Sequence, residues 1–376
     1  MKKIGLYGGT FNPPHKEHIN IAKNVLCELD LDLMIVIPSY ISPHKIGVDV
    51  ADGQARLEML KLAFDGEEKI IVSDYELCKR EVSYTYLTVE YFKNLYKDDE
   101  LFLIMGSDML ENFPTWKNPQ IIAKNVNIVL VQRVFDNIDT KKIVEDFTNK
   151  FNKPVVITKY LGQNYSSTSI RIRANLDLEF ENQTSEKVYN YIIENNVYKK
   201  DKYYDFVCKK LPKKRREHTY GVILTAISLA KKLGVDSQKC ALSALLHDVA
   251  KYEDYKNYKN FIVDSDVPKN VIHQFLGEHV IKEELGITDT DILNAVKYHT
   301  TARANMSMVE KIVYVADLIE QGRNYDGVEQ LRKAVFNDFE SGFKLCLKEV
   351  YKLLLKSEKP IYYLTKQAYD CYVDNK

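Results

Sequence analysis

The sequence carries no net charge. Its 53 Lys and Arg residues offset 53 Asp and Glu residues, which excludes wholesale attraction to nucleic acid or an anionic membrane and leaves only local phosphate sites open. Long apolar runs are missing too. None approaches the roughly 20 residues that cross a bilayer. The opening Met1-Lys2-Lys3 leads at once into Ile4-Gly5-Leu6-Tyr7-Gly8-Gly9, a stretch too short and glycine-rich for a signal peptide, so a cytoplasmic protein is expected. The six cysteines (Cys27, Cys78, Cys208, Cys240, Cys346, Cys371) form no Cys-x-x-Cys pair, which argues against thiolate zinc sites and for reduced, structural thiols. Glycine is sparse and there is only one tryptophan, Trp116. Internal repeats and low-complexity tracts are absent.

What remains is a chain of 376 residues, 45% hydrophobic, long enough for two ordinary domains with sizeable cores. Its two halves keep different rhythms. In the first, near-continuous apolar runs at 3–7, 33–37, 70–73, 101–105, 127–131 and 154–157 alternate with helical stretches such as 19–29, 53–64 and 86–96. That repetition predicts an α/β doubly wound parallel sheet, covered on both faces, with ligands at the carboxyl ends of strands. After about Tyr198 the apolar spacing becomes three and four, at 222–232, 237–249, 271–285, 308–319 and 343–355. This predicts an all-α domain over 199–376 following an α/β domain over 1–198.

The first strand runs into Gly8-Gly9-Thr10-Phe11-Asn12-Pro13-Pro14-His15-Lys16-Glu17-His18. Glycines at a strand end let a phosphate approach the backbone, and a helix starting near His15 aims its positive end at the same point. His15 and His18 are three apart and fall on one side of that first turn. A second cluster, Ser166-Ser167-Thr168-Ser169-Ile170-Arg171, follows the last strand and offers hydroxyls and a guanidinium. A Gly-Gly pair alone, or Ser-Ser-Thr alone, would read as a capped helix start, but the whole eleven-residue first string argues against that. Together, some 150 residues apart and similarly placed after strands, they point to a polyphosphate site.

These two strings resemble the signature motifs of the nucleotidyltransferase superfamily, and most closely those of bacterial nicotinate-nucleotide adenylyltransferase. The usual pattern has glycine where this chain has Glu17. The resemblance implies ATP binding by Gly8, Gly9, Thr10, Phe11, His15, His18, Ser166, Ser167, Thr168 and Arg171, with catalysis by His15, His18 and Arg171 and Mg²⁺ accompanying ATP. Three further stretches resemble segments that meet the second substrate: Pro38–Lys45, Ser83-Tyr84-Thr85, and Gly106-Ser107-Asp108 with Trp116-Lys117. They imply a nicotinate-mononucleotide site of Lys45, Thr85, Asp108 and Trp116, an indole being suited to stack on a pyridine ring. Leu87 stands where the family often has aspartate, so the acceptor rests on less than the adenylyl transfer does. Nicotinamide mononucleotide and phosphopantetheine remain alternative acceptors.

In the helical half, His218, His247, Asp248, His273, His299 and Asp317 come from separate segments. Imidazole and carboxylate without thiolate suits iron, manganese, zinc or nickel without choosing among them. Adjacent His247 and Asp248, about 100° apart on a helix, reach one point only near a bundle's centre. Arg216-Glu217-His218, Leu246-His247-Asp248, Ile272-His273, Tyr298-His299 and Ala316-Asp317 resemble the HD-domain phosphohydrolases, in particular the branch that splits diadenosine tetraphosphate symmetrically. The resemblance implies a transition-metal pair, Asp248 and Lys251 as catalytic groups, and a dinucleoside polyphosphate as substrate. Arg303 and Arg323 are weaker phosphate candidates. Lys209–Arg216 reads as a solvated face or as an electrostatic funnel. A different HD hydrolase and a non-catalytic nucleotide sensor are the alternatives. No membrane or nucleic-acid partner is expected, and self-association into a homo-oligomer stays open.

Overall fold

In the computed structural model, residues 1–41, 50–134, 138–198, 201–357 and 361–374 are described. The chain divides into two units: Met1–Arg171 with Glu179–Lys199, and Ile172–Leu178 with Lys200–Lys376. An expected division at 198/199 leaves out one exchange, since Ile172–Leu178 groups with the second unit ahead of its place in the chain.

The first unit is a six-stranded parallel sheet of β1 (Lys3–Gly9), β2 (Leu33–Pro38), β3 (Ile70–Val72), β4 (Glu100–Gly106), β5 (Asn127–Arg133) and β6 (Val155–Gly162), in the order β3-β2-β1-β4-β5-β6. Alternation along each strand explains why apolar runs are unbroken. Ile4, Leu6, Ile35, Ile37, Leu101, Leu103, Ile128 and Leu130 feed one core, while Tyr7, Met34, Val36, Phe102, Ile104, Val129 and Val131 feed the other. Each fully buried aliphatic contributes about 1.5–3 kcal/mol. The strand order reverses between β1 and β4, and a crevice opens beyond the carboxyl ends at such a point. β6 runs five residues past its expected end, beyond a register shift near Leu130 and Gln132.

The second unit has no strand among its described residues. Its site is carried by helices Lys213–Leu233, Ser237–Leu246, Ile272–Leu285, Thr290–Tyr298 and Met308–Ile319, which share one core with Val222, Leu246, Val280, Val296 and Val313. The first of them starts after Pro212 and ends at Gly234, whose φ of +67° suits glycine. Met308–Ile319 begins with a reciprocal Ser307–Glu310 capping box. Two features depart from expectation. The helix expected over 237–249 stops at Leu246, so His247 is its C-cap and Asp248 lies in the following turn. His299 holds the same post on Thr290–Tyr298, a nine-residue helix absent from the expected ones although Ile292, Ala295 and Val296 keep helical spacing. No described helix is long and apolar enough to cross a membrane.

Candidate active sites

β1 ends between β2 and β4, and the chain turns through Thr10–Pro14 into the helix Lys16–Glu28. A Cβ on Gly8 would meet nothing within 4 Å, so there is room for a ligand against the backbone there; at Gly9 it would strike the Phe11 ring. Phe11 has φ +47° and buries its ring against Tyr7 and His18, leaving its backbone rather than its side chain for a nucleotide.

The carbonyls of this turn are held from several sides. Gly9 accepts from the Ser39 amide (2.9 Å), Thr10 from Arg56 (2.9 Å), Asn12 from Arg171 (2.8 Å), Pro13 from the Ser167 hydroxyl (2.8 Å) and Pro14 from Thr184 (2.8 Å). The two sequence motifs are therefore joined directly, and Arg171 also donates to Thr168 (3.1 Å). Ser166 gives its carbonyl to the Ile170 amide. Sequence reading missed Arg56, which is buried and also donates to the Ser39 and Ala51 carbonyls. Its signal was a charged residue three and four positions before Met59 and Leu60, on the buried face of Gly53–Ala63.

His15 and His18 cap their own helix. Nδ1 of His15 accepts from the His18 amide (3.3 Å), Nδ1 of His18 accepts from the His15 amide (3.0 Å), and the rings stack at 3.5 Å. With each Nδ1 accepting, a neutral ring carries its proton on Nε2, which makes two donors side by side. Burial, helped by the Arg133 charge, lowers the His15 pKa to about 3, so it acts as a neutral donor rather than a cation. Glu17 is buried, and its Oε1 accepts from the Tyr160 hydroxyl (2.9 Å) on β6. Burial raises its pKa.

Of the residues expected to meet the second substrate, Thr85 opens the helix Thr85–Leu95, and Asp108 is exposed in Ser107–Asn112, straight after β4. Trp116 is half-buried, its ring 5.2 Å from that of Phe113. Lys117 sits over the Tyr84 ring at 4.2 Å, which brings the Thr85 and Trp116 segments side by side. Lys45, with His44, lies outside the described residues.

In the second unit five expected residues converge as two triads, His218–His247–Asp248 and Asp248–His273–His299, each with ligand-type atoms within 4.8 Å of one another. Asp248 belongs to both. Its Oδ2 is 3.2 Å from Nε2 of His247, and its Oδ1 is 3.2 Å from His273 and 3.5 Å from His299. Asp317 is outside the triads but places Oδ1 2.9 Å from Nε2 of His218. Backbone carbonyls orient two rings: Nδ1 of His247 donates to Ala244 (2.7 Å) and Nδ1 of His299 to Val296 (2.8 Å). Nδ1 of His218 instead faces Glu320 at 3.0 Å.

Each of these three rings thus turns an Nε2 lone pair toward the carboxylates. Lone pairs in such proximity repel unless a cation lies among them. Nε2 of His218, Nε2 of His247 and Oδ1 of Asp248 are buried and make no hydrogen bond, as ligand atoms facing a divalent ion would. Burial first, then neighbouring positive charge, lowers His273 to about 2; burial lowers His299 to about 4 and holds His247 well below its usual value. All three are neutral at physiological pH, as metal ligation requires. The set fits a divalent metal site.

Cations surround it. Arg215 lies against Asp248, Lys251 Nζ is 3.0 Å from His273, and Arg323 donates to Asp317 at 2.5 Å. Burial lowers Lys251 to about 8. Arg303 is not free for phosphate, since Glu310 holds it through two 2.7 Å bonds. The 209–216 cluster divides: Lys209, Lys213 and Lys214 are exposed, as a solvated face would be, and the other three basic residues are engaged. Lys210 pairs with Glu253, Arg216 with Asp177, and Arg215 turns inward to Asp248.

The sequence matches the cytidylyltransferase-like family model over residues 6–173 and the HD domain model over residues 215–322. A protein of Clostridium novyi (strain NT), named "Probable nicotinate-nucleotide adenylyltransferase", is 36% identical over 200 residues, 53% of this chain and 100% of its own. Symmetrical bis(5′-nucleosyl)-tetraphosphatases of Halalkalibacterium halodurans and Bacillus subtilis (strain 168) are 38% and 34% identical. They cover 43% and 44% of this chain, and 89% and 94% of their own lengths are matched. Fold and sites together define a nucleotidyltransferase joined to an HD-domain protein. The chain belongs to the nicotinate-nucleotide adenylyltransferase family through its first half and to the symmetrical bis(5′-nucleosyl)-tetraphosphatase family through its second.

Proposed function

We propose that this chain is a bifunctional nucleotide enzyme that makes the dinucleotide precursor of NAD and hydrolyses a dinucleoside polyphosphate. In the first reaction the 5′-phosphate of nicotinate mononucleotide attacks the α-phosphorus of ATP, the bond to pyrophosphate breaks, and deamido-NAD and pyrophosphate form. No protein nucleophile is needed. Catalysis is positioning plus neutralisation of the charge that develops on the phosphates. The paired histidines at the start of Lys16–Glu28 carry this reading, because stacked imidazoles whose Nδ1 atoms accept from each other's amides turn Nε2 to chemistry in the turn that follows the open backbone at Gly8, an arrangement that suits a phosphate chain. Mg²⁺ would enter with ATP.

For the second reaction, the triads sharing Asp248 carry the reading. His218, His247 and Asp248 would hold one divalent ion, and Asp248, His273 and His299 the other. Iron, manganese, zinc and nickel all suit this donor set. Such a pair, when bound, supplies Lewis acidity and a water of lowered pKa. Lys251, Arg215 and Arg323 add positive charge around the carboxylates, where a bound polyphosphate would spread its own. With diadenosine tetraphosphate, one water consumed at the central bridge gives two ADP.

The test is a substrate comparison on the full chain. Pyrophosphate release from ATP should be faster with nicotinate mononucleotide than with nicotinamide mononucleotide. ADP should appear from diadenosine tetraphosphate, stop after chelation and return with added metal. Preference for the amide would overturn the acceptor, and chelator-resistant hydrolysis would overturn the metal site.

A further inference from the structure

Of the oriented imidazoles in the second unit, His247 and His299 are fixed by main-chain carbonyls that no substitution removes. His218 is fixed by a side chain. Glu320 is 3% exposed, and its Oε1 lies 3.0 Å from Nδ1 of His218. Its other oxygen accepts from the Gly322 amide at 2.5 Å, and Arg332 grips its carbonyl at 2.6 Å. The carboxylate is thus itself held in place.

The helix opposite has been cleared to admit it. Gly221 lies inside the 21-residue helix Lys213–Leu233, where glycine is unfavourable. A Cβ at Gly221 would overlap Oε2 of Glu320 and come within 2.9 Å of its Cδ. One on Gly322 would come within 3.0 Å of Oε2. Two glycines from different segments therefore leave space for one buried carboxylate, whose placement turns Nε2 of His218 toward Asp317.

We infer that Glu320 is a positioning residue for metal binding. It fixes the tautomer and orientation of His218 and raises the basicity of its Nε2, and Gly221 provides the room it needs. The inference rests on the two-ion reading of the triads given above. A carboxylate accepting from the distal nitrogen of a ligating imidazole strengthens the ligand, and losing such a partner weakens metal affinity by about 10–100-fold. Only the ion beside His218 should be affected, because among the described residues the Glu320 carboxylate meets His218, Gly322 and Arg323 and no member of the Asp248–His273–His299 triad.

The full chain, stripped by chelation, is equilibrated with Mn²⁺ at fixed free concentrations and the bound ion counted. Wild type should hold two ions per chain. Glu320→Ala should weaken one of them about 10–100-fold, and Glu320→Gln, which keeps an oxygen acceptor, should fall between. Gly221→Ala should reproduce the weakening and add nothing in the Glu320→Ala background, since no carboxylate is left to displace. Unchanged melting of the stripped variants would place the effect on the ion rather than the fold. Retention of both ions by Glu320→Ala at wild-type affinity would overturn the inference, as would independent, additive losses from Gly221→Ala and Glu320→Ala. A wild type that binds no Mn²⁺ would overturn the two-ion reading and this inference with it. If Gly221→Ala does not fold, the Glu320→Ala and Glu320→Gln pair still decides.

Discussion

Two stacked imidazoles would repel each other if both were charged, and burial keeps His15 neutral beside His18. Each Nδ1 is occupied by the other residue's amide, so the chemistry is left to Nε2. We predict that His18→Ala lowers pyrophosphate release by about 100- to 1,000-fold, the usual loss when one donor to developing charge is removed. Circular dichroism should still report a folded protein, and near-normal release would remove His18 from the mechanism. His15 sets a pH dependence of stability. Its folded pKa of about 3 lies below the unfolded value near 6.5, so as pH falls through this window the unfolded chain gains a proton that the folded chain refuses. Stability is full above about 6.5 and declines toward 3. His15→Asn, which keeps a capping side chain, should flatten that decline in denaturant titrations at several pH values. A slope equal to wild type would show that His15 is not buried as described.

At the scale of elements, the helix Lys16–Glu28 is tied to β6 at both ends by glutamates. Glu28 accepts from the Lys159 and Tyr160 amides, and Glu17 from the Tyr160 hydroxyl. The residue that departs from the family pattern thus turns its carboxyl to β6. Tyr160→Phe should destabilise the protein by about 0.5–1.5 kcal/mol, since it removes one hydrogen bond to a buried carboxyl that also meets Gln163 and Asn20. Adding Glu17→Gly should recover part of that loss, and additivity in thermal melts would deny the coupling. Much of this architecture could be read in advance. The strands were legible because a sheet buried on both faces needs apolar residues at every position, and such runs stand out. The metal residues were legible because the motifs that hold them resemble those of the HD-domain phosphohydrolases; a lone histidine in a helical core would have said little. What escaped was whatever depends on another element's position. Arg56 looks like any charged helix residue until the carbonyls of Thr10 and Ser39 are placed around it. Glu320 was announced only by an interior glycine one turn beyond His218, a signal without meaning until the two segments meet. The helix end at Leu246 was hidden because Val249 and Ala250 continue the apolar pattern through a turn.

For the whole molecule, the helix Ser167–Asn175 matters most. It begins with Ser167 and Arg171 anchoring the turn after β1, and its later residues belong to the other unit. There Ile172, Leu176 and Leu178 are buried with Val207 and Leu211, Arg173 pairs with Glu217, and Arg216 donates to the Leu176 carbonyl. We predict that a fragment starting at residue 172 is more stable than one starting at 199 by about 5 kcal/mol, since three aliphatic side chains leave its core otherwise. Equal denaturant midpoints would contradict this. The two activities therefore have no clean seam in the covalent chain. A gene split at the polar stretch near residue 200, where composition alone would put the scissors, would send a strip of one enzyme's interior away on the other. Recombination that exchanges either half intact would have to copy those seven residues twice.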